Sequence, residues 1–346
     1  MSFLKNLFRH DEKHAESIVL IDIAADSIAG AYVHYIECET PVLLYTRRLP
    51  IEVRKDEPHE CAMIRALKVL GDDLVREGAP TLMRATGSGS ANTVLVSIDT
   101  PWQETNVRTE KFERANPFTL TKHMVVSAIQ QTSPKVSGKL VADESIIGTI
   151  LNGYETHHPY GRKVHRASVV VLTSLIDKEI AESISTTLHG LFHTKRIFPI
   201  AGSSLRYQAM RIAFPHERDA LILDSTGQIS ISLIRRDLFI ALAEVPRDNK
   251  RSWIENVMDE FATIAKKYPL PRIIFLLARE PELVSLQKKL DDGDLGKLWL
   301  SDHPPKIVPV LASHIADSVR QATTTPPDLQ LLLMALYQQK RISEES

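Results

Sequence analysis

Cys38 and Cys61 are the only cysteines in this chain of 346 residues. Two so widely separated thiols supply neither a disulfide framework nor a cysteine metal site, which favours a reducing cytoplasm. A charge of one sign is equally absent, since 42 Lys and Arg stand against 43 Asp and Glu. Without an overall basic excess, nothing in the composition argues for a nucleic-acid surface. No run of about eighteen apolar residues occurs, so no segment is expected to span a bilayer. The Gly-Lys-Ser/Thr of a Walker loop is missing, and Ala85-Thr-Gly87-Ser-Gly89-Ser-Ala91 precedes a strand and reads as a plain loop. His189 and His193 share a helix face without the glutamate of a zinc-protease motif, and His157-His158 sits in a polar turn. Ser203-Ser204 follows a glycine but lacks the Gly-x-Ser-x-Gly elbow of a nucleophilic serine. No enzyme is present with its parts complete.

What is present is a duplication. Ile18-Val-Leu-Ile-Asp22-Ile-Ala-Ala-Asp26-Ser27 and Ala220-Leu-Ile-Leu-Asp224-Ser225-Thr226-Gly227 each run a buried-type apolar strand into an aspartate and a tight turn. A second strand follows each turn (28–35 and 229–234), and then a third (42–49 and 238–245). Such a pair can form a phosphate clamp, with turn amides aimed at phosphate oxygens and aspartates holding Mg²⁺ through water.

Periodicity supplies the coarse plan. Apolar residues near a 3.6 spacing predict a helix over 60–77, and a strand follows at 93–98. Past Pro101 the texture changes to an exposed strand (105–112), a helix (119–130) and a strand (146–151). This reads as a small inserted α+β domain over 103–162. The continuous apolar strand 167–173 and the helix 177–192 read as a return to the first lobe, which then comprises 1–102 and 163–215. The second lobe, 216–346, adds helices at 253–267, 283–290 and 328–339 and a strand at 272–277. At the N-terminus, Phe3, Leu4, Leu7 and Phe8 form an apolar stripe within residues 1–10, suited to weak membrane contact or to docking on the protein's own lobe. Trp102, where insert meets lobe, reads either as a hinge core residue or as an anchor for a partner peptide.

The order strand-Asp-turn, inserted module, Ile197-Phe-Pro-Ile-Ala201-Gly202-Ser-Ser204, second strand-Asp-turn resembles the bacterial actin-like FtsA and PilM proteins of cell division and type IV pilus assembly. The resemblance implies an α/β, actin-like (ribonuclease H-like) two-lobe fold with the small α+β domain inserted in the first lobe. It also implies a nucleotide site at Asp22, Ser27, Asp224, Ser225, Thr226 and Gly227, with Asp22 and Asp224 as the Mg²⁺ ligands if Mg-ATP binds. This sequence departs from the family at each glycine-dependent position, reading Asp22-Ile-Ala24, Asp224-Ser-Thr226-Gly227-Gln228, Val245-Pro246-Arg247-Asp248 and Leu277-Ala278-Arg279-Glu280. Side chains at such positions restrict the positive φ and the close backbone approach that phosphate needs. Asp26 and Glu280 would add further negative charge near a triphosphate. The expectation is a degenerate, non-hydrolysing cleft on a cytoplasmic scaffold, open to self-association, that docks the cytoplasmic tail of an inner-membrane pilus or divisome protein. The alternative is an FtsA-like protein whose polymerisation or partner binding is switched by Mg-ATP.

Overall fold

The computed structural model describes residues 15–156, 158–194, 196–245, 251–293, 295–299 and 304–345. The apolar stripe of residues 1–10 lies outside them. Strand β1 (Ala15–Ile23) is buried from Ile18 onward on both faces, as its unbroken apolar run requires, and therefore occupies a sheet centre. It pairs antiparallel with β2 (Ser27–Ile36), and β3 (Val42–Pro50) continues the meander.

Helix α1 (His59–Asp73) runs through one π turn at Leu74–Gly78 into α2 (Ala79–Thr86), which ends on the left-handed Gly87. The expected helix is thus longer, since Pro80 stands in the first turn of α2, where its missing N–H costs nothing. Strand β4 (Thr93–Ile98) lies parallel to β1.

The insert begins with the long strand β5 (Gln103–Thr119), followed by α3 (Lys122–Thr132), β6 (Lys139–Leu151), the short β7 (Tyr154–Glu155) and β8 (Lys163–Asp177). Its sheet order is β5-β8-β6-β7. The apolar run expected at 167–173 in the first lobe's sheet belongs instead to β8, at the centre of the insert's sheet. Its apolarity has a local cause. Ala167, Val169 and Val171 face the core under α3, whereas Val170 and Leu172 join the core between the lobes. The chain accordingly leaves this sheet at Asp177 and not at 162.

Helix α4 (Lys178–Phe192) packs on the α1 side of the first sheet, and β9 (Ile197–Ala201) completes it, giving β3-β2-β1-β4-β9 with the small β15 (Arg320–Gln321) outside β3. After α5 (Gly202–Ala213), β10 (Ala220–Asp224), β11 (Ser230–Arg235), β12 (Leu238–Glu244), β13 (Ile273–Leu277) and β14 (Lys306–Pro309) form a sheet ordered β12-β11-β10-β13-β14. Both sheets share one pattern: a central strand with an antiparallel meander on one side and parallel strands on the other. Helices α6 (Trp253–Ala265) and α7 (Glu280–Asp291) cover the outer face of the second sheet. Helix α8 (Leu329–Glu345) and α5 contribute to one continuous core that joins both sheets.

Candidate functional site

The two strand-Asp-turn units face each other between the lobes. Asp22 and Asp224 end β1 and β10, and both are buried, at 1% and 3% exposure. A buried carboxylate must find partners, and here the partners are arginines. Arg48, on β3 opposite Ala29, reaches Asp22 at 3.0 Å and donates to Ser27 Oγ at 2.9 Å. It also holds Asp328 through Nε and Nη2, at 2.6 and 3.1 Å. Arg206 of α5 grips Asp99 at the end of β4 with two hydrogen bonds, of 2.9 and 2.7 Å, and contacts Asp224 through Nε. Arg279, at one altered glycine position, crosses from the second lobe to Asp26 and Ser27 Oγ of the first.

Burial pushes the Asp22 carboxyl up to about 6; Arg48 pulls it down, and neighbouring Asp99 and Asp328 push it up further. Asp224 is likewise raised by burial, against the opposing pull of Arg206 and the Thr226 hydrogen bonds. Burial works against the charge of Arg48 and Arg206, yet their carboxylate partners outweigh it and shift both upward. Guanidinium remains protonated throughout, so the cleft holds fixed positive charge.

The turn amides are also engaged. Ala24 N donates to Ser27 O at 3.0 Å, Thr226 N to Asp224 Oδ1 at 2.9 Å, and Ser225 N to Leu277 O at 2.8 Å. The Thr226 hydroxyl donates to the same Asp224 oxygen at 2.6 Å and accepts from Gln330 at 3.0 Å. The turns stand so close that a Cβ built on Gly227 would lie 3.5 Å from Ala24 Cβ. Trp102, only 4% exposed, donates its indole N–H to Ala24 O at 2.8 Å and so braces the first turn; no surface remains for a peptide anchor. Gly202 has a packing reason too, because a Cβ there would strike the Asp99 carboxylate.

Mg²⁺ demands carboxylate oxygens with room for ordered water, and phosphate demands free donors. At this site guanidinium groups occupy the carboxylates and the three turn amides have internal acceptors. The residues present do not fit Mg-ATP. Asp26 does not add bare negative charge either, since Arg279 pairs with it. Cavities of about 400 Å³ beside Asp22 and Gln330, and of about 620 Å³ beside Trp253 and Lys289, flank the arginine network.

The structure thus brings Asp22, Ser27, Asp224, Ser225, Thr226 and Gly227 to one cleft, and adds the residues that sequence reasoning missed: Arg48, Asp99, Arg206, Arg279 and Asp328. The legible signals were the arginines within β3 and the largely buried α5, and the glycine replaced by Arg279. The other chemical candidates stay apart. His189 and His193 are exposed, with His189 Nδ1 against Thr194 O at 2.6 Å, and among the described residues no group of three metal-ligating side chains exists. Cys38 and Cys61 are exposed free thiols.

Two lobes with one strand order, an inserted domain in the first, and paired aspartate turns at the interlobe cleft define the actin-like fold. No protein-family model matches the chain, and no curated protein matches its sequence. Among solved structures it is similar to the PilM-PilN type IV pilus biogenesis complex, at 12% identity and a TM-score of 0.53, covering 94% of this chain and 98% of that one. It is also similar to a Bacteroides thetaiotaomicron protein with an actin-like ATPase fold and unknown function, at 11% identity and a TM-score of 0.48, covering 92% and 95% of the two chains. A third similarity is to the cytoplasmic domain of EpsL, an inner-membrane component of the Vibrio cholerae type II secretion system, at 9% identity and a TM-score of 0.37, covering 94% and 95%.

Proposed function

We propose that this chain is an actin-like scaffold in the cytoplasm, holding the short tail of an inner-membrane protein within a membrane-associated assembly of the type IV pilus kind. The observation that carries the reading is the internal neutralisation of the cleft: Arg48, Arg206 and Arg279 sit where a metal and phosphates would have to be. A cleft closed by its own side chains presents a fixed surface and needs no nucleotide cycle. The structurally similar PilM is seen in complex with PilN, which supports an adaptor role.

A cavity of about 1000 Å³, where α1 and α4 meet Gly138 of the insert, is the proposed seat of the tail. Ile64, Val69 and Ile180 give it an apolar floor, and Lys68 and Glu179 give it charged rims. Trp102, beside the start of the insert, packs on His59 of α1 with ring centroids 4.6 Å apart and shares a core with α1 and α4, so the proposed seat adjoins the insert.

Titration calorimetry with a non-hydrolysable ATP analogue and Mg²⁺ tests the closed cleft, with no heat of binding expected up to millimolar ligand. Micromolar binding that disappears in an Asp22→Ala/Asp224→Ala variant would replace this reading with the nucleotide-switched one. Fluorescence anisotropy with labelled tail peptides of inner-membrane pilus proteins tests the groove; Val69→Glu is expected to weaken the interaction at least tenfold, because it buries a charge in an apolar seat.

A further inference from the structure

The charge that is balanced over the whole chain is not balanced over its surface. At the end of the insert farthest from the cleft, the register brings together the close of β5, the start of α3 and the start of β8. Thr119 lies opposite Lys163, Glu113 lies opposite Arg166, and Leu120 exchanges backbone hydrogen bonds with Gly161 and Arg162. Five cations collect there, Arg114, Lys122, Arg162, Lys163 and Arg166, and all are exposed. Across 113–123 and 150–166 the sequence holds only two carboxylates, Glu113 and Glu155. Glu113 pairs with Arg166 at 2.7 Å, and Glu155 is turned toward the second lobe, with a side chain 15% exposed near Arg218. Among the described residues the other four cations have no carboxylate partner, Arg114 lying over the Phe118 ring at 5.1 Å, in a chain whose formal net charge is −1.

Two tyrosines stand in the same region. Tyr154 follows a turn whose residues, Asn152 and Gly153, both have positive φ, at 50° and 89°, the geometry of a tight hairpin. Asn152 Oδ1 pins that turn by accepting from His165 N and Arg166 N, each at 3.0 Å. The hairpin therefore holds Tyr154 out to 80% exposure, the highest among the large hydrophobics of the described residues, and Tyr160 is 41% exposed. Two amphipathic aromatic rings thus stand in water in the same region as the cations.

We infer that this end of the insert is a contact surface for an anionic lipid bilayer. Long, exposed cationic side chains suit a diffuse sheet of phosphate charge, and tyrosines, apolar in the ring and polar at the tip, suit the headgroup layer. The cations come from a strand end, a helix start and a loop that the register gathers at one end of the insert. Two exposed tyrosines on separate loops do not form the stacked platform that single-stranded nucleic acid uses. This surface is independent of residues 1–10 and of the tail-binding reading.

The test is sedimentation of the full-length protein with vesicles of pure phosphatidylcholine, or with one third of it replaced by phosphatidylglycerol. Binding is expected only with the anionic lipid and should fall steeply between low and physiological salt. Lys122→Ala/Arg162→Ala/Lys163→Ala should lower the partition coefficient on the order of 100-fold, since each basic residue near such a surface acts independently. Tyr154→Ala should lower it further, with circular dichroism confirming the fold. A Phe3→Glu/Phe8→Glu variant should keep most of the binding. The inference falls if the wild-type protein ignores anionic vesicles, if the triple variant binds as well as wild type, or if only the Phe3/Phe8 variant loses binding. It also falls if an oligonucleotide at equal phosphate concentration displaces the vesicles, which would make the patch a nucleic-acid surface.

Discussion

At the scale of single residues, the cleft is decided by arginine. Removing Arg206 leaves Asp99 and Asp224 buried without a counter-charge, and breaking a buried pair in this way costs about 3–5 kcal/mol. Arg206→Ala is therefore expected to lower the urea midpoint sharply, whereas loss of the exposed Arg76–Glu77 pair should be nearly silent. Asp22 gives a pH signature. Its carboxyl titrates near 6 in the fold against 3.8 in the open chain, so the folded state holds the extra proton between those values. The stability this group contributes is complete below pH 3.8 and is lost as the pH rises to about 6. Asp22→Asn, which cannot ionise, should gain on wild type across that window and then hold a constant difference; parallel stability curves from pH 4 to 7 would contradict the assignment.

At the scale of elements, α5 is positioned by the absence of a side chain. Gly202 opens the helix against the Asp99 carboxylate, which Arg206 locks in place, so the carboxylate cannot step aside for a methyl group. Gly202→Ala should cost about 1–3 kcal/mol by overpacking, measurable by thermal denaturation. The insert is tied to the second lobe through the short strand β7. Glu155 there is pushed up to about 7 by burial first and by Asp237 next, against the pull of Arg218 and Arg211. The sign follows the Asp22 case: docking is firmest below the ordinary value of 4.5 and weakens as the pH climbs to 7. Protection factors of the β6 and β7 amides, corrected for the intrinsic pH dependence of exchange, should fall over that range in wild type and stay level in Glu155→Gln.

At the scale of the whole molecule, the core that joins both sheets through α5 and α8 makes the lobes one thermodynamic unit. In the ATP-free protein a single unfolding transition is expected, with equal calorimetric and van't Hoff enthalpies; two resolved transitions would mean that the interlobe core is weaker than its burial implies. Millimolar Mg-ATP should leave the midpoint unmoved, since only a ligand that binds the folded state raises it. The two proposed contact faces, the α1–α4 groove and the basic end of the insert, both lie outside the cleft and do not need it to move.

The repeated apolar run into an aspartate pointed to a central strand in each half, because burial on both faces suits a sheet centre, whereas the two-lobe actin-like fold was legible only through the family resemblance that the order of these units carries. Most element positions followed from periodicity for the same local reason. Strand β8 did not, since a run that is apolar on both faces looks alike in any sheet, and only long-range pairing places it between β5 and β6. The site divided in the same way. Asp22 and Asp224 were legible because each ends its own strand, whereas Arg48, Arg206, Arg279 and Asp328 come from four separate elements or loops. What turns those charges from solvent-facing side chains into a paired network is the packing of two lobes on one core. A sequence pattern records the neighbours of a residue along the chain; the tertiary structure alone decides which arginine each buried carboxylate meets.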